Sequence, residues 1–215
     1  MGFALHDRRY SLFLFSFVLM LFGDIFTKPE YDYDAQTILI LQNMLFSLLL
    51  FRRKHKVKRL VVISLIVLGT FARIYNQLNP DFTGVLFLII YMFYFLLISH
   101  QIYIDLMQQK DLGIEMISAA FSGYILLGTV FSALFITMGY SGAFKVPDHI
   151  SNSDYLYFSF VTLLTIGYGD ITPVTEIAKK VVVLLGLMGN FYTVFVIGII
   201  IGKFLNSQNI DHDAL

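Results

Sequence analysis

Six stretches of the chain are apolar almost without a break, at 10–26, 35–51, 60–75, 82–103, 114–139 and 176–206. A helix crosses a hydrocarbon core with about 17–25 such residues, so the pattern predicts an all-α membrane protein with six transmembrane helices. The first run follows Arg8 and Arg9 as a signal peptide would, yet "FGDIFTKPEYDYD" offers no small-residue cleavage site and reads as an anchor leaving the membrane. A seventh run, "DYLYFSFVTLL", is too short to span. Ser153 or Asp154 is expected to cap it, and it should end near Leu164. It merges into "TLLTIGYGD", residues 162–170, where glycines interrupt the apolar pattern. A short helix followed by Gly-rich backbone predicts a re-entrant loop, which survives at membrane depth only where protein buries it or it lines water.

Composition places the chain in lipid: with 57% hydrophobic and 14% charged residues, one globular core cannot hide its apolar surface. Net charge is zero, so nothing directs it to nucleic acid, and the placement of charge is what informs. If the N-terminus is cytoplasmic, Arg8, Arg9, "RRKHKVKR" (52–59), Lys110 and Lys203 all lie inside, ten of the fifteen basic residues. The positive-inside rule then puts both termini in the cytoplasm, at the plasma membrane, and hangs the 162–170 loop on the outer side. The absence of cysteine excludes disulfides and thiolate chemistry, and five histidines without ligand spacing argue against a metal site. No nucleophile, base and orienting group gather, so neither an enzyme nor a cofactor is expected.

The loop has chemistry of its own. Glycines at 167 and 169 alternate with larger residues, and glycine accepts left-handed dihedrals at little cost, so an extended backbone can aim its carbonyls one way. A ring of such carbonyls replaces the hydration shell of a cation. The short helix would turn its negative end toward the same place, and the Thr165 hydroxyl adds an oxygen at the inner mouth. Residues 162–170 resemble the signature of potassium channels, and the following "ITPV" and "KKVVVLLGLMG" resemble that family's outer mouth and inner helix, so the likeness spans 114–204.

The resemblance is to tetrameric six-transmembrane potassium channels of the voltage-gated-like superfamily. It implies a homotetramer, since one loop is a quarter of a ring. It makes Thr165, Ile166, Gly167, Tyr168 and Gly169 the selectivity filter for permeant potassium, with Asp170 at the outer mouth and Gly189 as the inner-helix hinge. Filter support falls to Tyr157, Phe158, Val161 and Thr162. Val161 stands where some relatives carry a bracing carboxylate and Phe158 where many carry tryptophan, which leaves Tyr157 to donate toward Asp170.

Along the last apolar run, Gly186, Asn190, Thr193, Ile197 and Ile201 recur at three- and four-residue steps and share a face. Asn190 and Thr193 are expected to line a wet cavity and Ile197 and Ile201 to form an apolar inner gate; simple packing is the plainer reading of all four. Gly198 and Gly202 suit a close helix contact. The fourth run carries no Arg or Lys, whereas steep voltage dependence takes about 3–4 gating charges per subunit, so little or no voltage gating is expected. The implied organisation is a charge-depleted peripheral domain at 1–105, a pore domain at 106–206 and a short cytoplasmic tail at 207–215.

Arg52, Arg53, Lys54, Lys56, Lys58 and Arg59 set topology first and offer an anionic-lipid site second. Asp24 and Arg73 are expected to pair, and His149 is a surface residue before it is a pH sensor. A transporter would show inverted halves, which are not evident. A nonselective cation channel would need an altered filter, and a silent or regulatory subunit remains an alternative.

Overall fold

Although their many β-branched and aromatic residues have modest helix propensity, long apolar runs without internal proline fold as seven α-helices among the described residues. They are α1 Arg9–Phe22, α2 Asp32–Ser47, α3 Lys56–Leu78, α4 Pro80–Gln108, α5 Ile114–Gly139, α6 Asn152–Leu163 and α7 Glu176–His212. Tighter 3-10 turns extend α1 over Gly23–Phe26 and α2 over Leu48–Leu50. The two short strands, β1 Phe144–Lys145 and β2 Thr172–Pro173, pair antiparallel, with Phe144 opposite Pro173 and Lys145 opposite Thr172. This computed structural model describes residues 8–26, 32–51, 56–78, 80–108, 113–146 and 150–212, with backbone alone at 24, 26, 32–37, 72–78, 80–88 and 204–212. The expected Asp24–Arg73 pair, His149, Arg52, Arg53 and Lys54 lie outside the described side chains.

Helical architecture agrees with the apolar pattern. Among the described residues three stretches are long and apolar enough to cross a membrane: 89–108 within α4, Ile114–Gly139 and Glu176–Lys203. Arg9–Phe22 and Ile38–Leu50 are shorter apolar helices. The chain divides into two compact units, 1–123 and 124–215, whose boundary falls inside α5.

In the first unit α1 packs on α2 and α3 on α4. Helix α1 buries Arg9, Tyr10, Phe13, Ser16 and Phe17, a stripe at helical spacing. Phe13 meets Phe17 edge-on at 4.8 Å, and Tyr91 meets Phe95 in the same manner at 4.3 Å. Beside these rings lies a charged network. Arg9 pairs with Asp105 at 2.9 Å, the Tyr10 hydroxyl donates to Asp105 at 2.5 Å, and Gln101 donates to the other Asp105 oxygen at 2.9 Å. Lys58 in turn donates to Gln101 at 3.0 Å. Ions this deeply placed must be paired and hydrogen-bonded, because burial strips their water. The Glu115 carboxylate accepts the amides of Tyr10 at 2.8 Å and Ser11 at 3.2 Å and the Ser11 hydroxyl, so it sits on helix amides that have no partner within α1.

The second unit is built on an aromatic cluster. Phe135, Phe144 and Phe158 stand 5.1–5.5 Å apart, centroid to centroid, and Tyr155 adds a fourth ring 5.7 Å from Phe144. The Ser159 hydroxyl donates to the Gly128 carbonyl at 2.7 Å and ties α6 to α5.

Candidate functional site

Helix α6 starts at Ser151, whose amide and hydroxyl donate to the Asp154 carboxylate at 2.6 and 2.8 Å. The capping residue therefore lies two positions before Ser153, and Asp154 acts from inside the first turn, the reciprocal arrangement of a capping box. At its other end the helix closes on itself. The Thr165 amide donates to the Thr162 carbonyl at 3.0 Å and the Ile166 amide to the Val161 carbonyl at 2.9 Å, with Thr165 at φ +59°. This is a Schellman closure whose left-handed position, ordinarily glycine, holds a β-branched residue. Such a conformation costs an L-residue about 1–2 kcal/mol.

Left-handed backbone recurs at alternate positions, Thr165, Gly167 at φ +60° and Gly169 at φ +79°. That alternation is what a one-sided row of carbonyls requires. The Gly167 amide also reaches the Val161 carbonyl, at 3.3 Å. Val161 thus holds the loop through its main chain, in the absence of a carboxylate on its buried side chain. The carbonyls of Phe160, Val161, Thr162 and Leu163 each accept a bond, the last from the Tyr124 hydroxyl at 3.1 Å. The end of helix α6 is therefore engaged, whereas among the described residues the carbonyls of 165–169 accept no main-chain bond.

Residues Thr165 to Asp170 are exposed, Tyr168 by 70%, although they follow directly on the buried Phe158, Val161 and Leu163. Tyr157 hydrogen-bonds Asp170. That bond is the main reason the phenol is raised above its ordinary range and the main reason the carboxyl is lowered, with the amides of Ile171 and Asp170 adding to the second effect.

Gly189 is buried under the end of α6, and a Cβ there would lie 2.5 Å from a Leu163 methyl. Glycine at this position permits that approach while α7 runs on as unbroken helix. Asn190, Thr193, Ile197 and Ile201 are all exposed, and the Thr193 hydroxyl donates back to the Gly189 carbonyl at 3.0 Å. Gly198 and Gly202 have open space where a Cβ would be. Lys56 and Arg59 are exposed at the start of α3, and Lys58 is engaged with Gln101.

Sequence reasoning missed three features: threonine in a glycine position of the helix closure, the β1–β2 pairing, and the Asp105 network. The last had a signal, since an acidic residue in α4 and a basic one at the start of α1 each stand at the edge of an apolar run and need a partner.

Residues 119–206 match a protein family described as ion channel, a likeness to channel proteins and not to an enzyme. A potassium channel K1 from Plasmodium berghei (strain Anka) is 39% identical over 62 residues, 26% of this chain and 3% of that protein. A two pore potassium channel c from Oryza sativa subsp. japonica is 40% identical over 63 residues, 26% of this chain and 14% of the relative. The match thus spans a small part of either relative's length. No solved structure matches the chain.

Proposed function

We propose that four copies of this chain form a potassium-selective channel, with Thr165, Ile166, Gly167, Tyr168 and Gly169 as its filter. The observation that carries the reading is the alternation of left-handed residues at 165, 167 and 169 in a loop that a short helix holds by its end. Bare carbonyls on such a loop substitute for the water around a dehydrated cation. Fourfold assembly follows from need: one loop covers a fraction of an ion's surface. Within one chain 61% of the apolar window of α5 is buried against 17% for that of α7, so α7 has faces to give to neighbours and to a pore.

Six membrane crossings per chain, with both termini in the cytoplasm of a plasma-membrane protein, accord with the six apolar runs and the inner bias of basic residues. Asn190 and Thr193 then line the inner cavity, and Ile197 and Ile201 narrow its exit. Voltage gating is weak or absent, because α4 carries no Arg or Lys and its inner acid, Asp105, is tied to Arg9 of α1. Lys56 and Arg59, both exposed, would meet anionic lipid at about 1 kcal/mol per charge.

The test is a planar bilayer holding purified protein with potassium on one side and sodium on the other. A reversal potential near the potassium equilibrium value, with open probability flat across voltage, is the expected result. Current reversing near zero would make the pore nonselective. Assembled protein that passes no current would make it a silent subunit.

A further inference from the structure

The filter loop is held at its inner end by the Val161 and Thr162 carbonyls, but between Gly167 and Thr172 no main-chain bond ties it to the rest of the chain among the described residues. An extended segment with left-handed residues has no reason to keep its shape unless the far end is also fixed. The far end runs straight into β2, which pairs with β1, and the Ala143 carbonyl accepts the amides of Val174 at 2.9 Å and Thr175 at 3.5 Å. Strand β1 is itself seated by one side chain. Phe144 is 6% exposed and packs on Phe135, Phe158 and Tyr155 at 5.4, 5.5 and 5.7 Å.

We propose that the β1–β2 pair is the outer anchor of the filter and that Phe144 is its positioning residue, acting through Thr172 and Pro173 without touching an ion. An aromatic wedge in a packed cluster here supplements a polar brace of this region, the hydrogen bond from Tyr157 to Asp170. Both ends of a strained loop are then clamped to α6, the inner end by main-chain hydrogen bonds and the outer end by ring packing together with the Tyr157–Asp170 bond.

The inference rests on the potassium-pore reading, and the two fail separately. Wild-type protein in the bilayer first establishes potassium selectivity; its absence overturns the pore reading. Phe144→Ala is then recorded through withdrawal of outer potassium. The expected result is an unchanged initial reversal potential with current lost about tenfold faster than in wild type, and protection restored by raising outer potassium, because bound ions favour the ordered loop by mass action. Phe144→Leu, which keeps most of the volume, should fall between the two. Decay equal to wild type, or faster decay indifferent to potassium, overturns the proposal.

Should Phe144→Ala fail to assemble, the double variant Lys145→Cys, Thr172→Cys serves, because these residues face each other and the chain has no other cysteine. Oxidation should prolong current after potassium withdrawal and reduction should reverse it. A formed cross-link, verified by mass, that leaves survival unchanged overturns the anchor.

Discussion

The two units of this chain treat polarity in opposite ways. Residues 1–123 draw a guanidinium, a carboxylate, a phenol and an amide inward and satisfy them against one another around Asp105. Residues 124–215 bury no charged side chain among the described residues: rings and aliphatics fill their interior beside Thr129, Ser132 and Ser159, and the loop from Thr165 to Asp170 is exposed. In lipid an unpaired polar group costs several kcal/mol, so each arrangement indicates what it expects around it. The first unit pairs its buried charges within the chain, though among the described residues the Gln42 amide and the Asn43 Oδ1 stay buried without a partner. The second presents groups that only neighbouring subunits, water or ions can complete.

The sharpest way to break that contrast is at the loop. Gly167→Ala places a Cβ on a residue at φ +60°, at about 1–2 kcal/mol per copy, and in the proposed tetramer four copies multiply the effect. Potassium flux into proteoliposomes should fall at least about 100-fold while the variant still elutes at the assembly size of the wild type. A conducting Gly167→Ala protein would mean that the left-handed alternation is not the working geometry.

The matching blow to the first unit is Arg9→Gln, which leaves Asp105 buried without its cation. Thermal or denaturant unfolding should show a loss of about 3–5 kcal/mol, and adding Asp105→Asn should recover part of it. Additive losses would dissolve the pair. Next comes Gly189→Ala, whose methyl meets Leu163 at 2.5 Å. It should cost about 1–3 kcal/mol by overpacking, with relief from Leu163→Ala, whereas a pure hinge role would give slower opening and no such rescue.

Thr165→Gly separates stability from function. It removes the left-handed strain, so each subunit should gain up to about 1–2 kcal/mol, and it removes the hydroxyl, so selectivity for potassium over sodium should fall. Unchanged selectivity would confine the threonine to a structural part.

The smallest expected effect is in pH. The hydrogen bond from Tyr157 lowers the carboxyl of Asp170, so it is neutralised at a lower outer pH than it would be without that bond. Tyr157→Phe removes the leading cause. The pH at which outer acidification reduces current should therefore rise toward that of a free carboxylate, and an unmoved titration would show the pair to be idle.

Much of the candidate site was legible along the chain because it is local. Alternating glycines at 167 and 169 announce left-handed backbone, and the aromatic run at 154–164 announces a helix too short to span. The cap lies two residues before the expected Ser153, because three polar residues, Ser151, Asn152 and Ser153, precede Asp154 and any of them suits a cap; which one serves depends on where the chain turns in. The β1–β2 pair escaped because two-residue strands carry no periodicity.

By itself, then, the sequence determined the helical class, the interruption at 162–170 and the absence of basic residues from α4, since each depends on neighbours along the chain or on composition. Tertiary structure alone decided that Val161 supports the loop by its carbonyl, that Gly189 makes room for Leu163, that Phe144 seats the outer strand and that Tyr10 and Arg9 meet Asp105 some 95 residues on. The physical reason is common to all four: a hydrogen bond, a ring contact or an ion pair exists only once two faces distant in sequence are brought to contact distance. Local pattern specifies the faces and leaves their partners to packing.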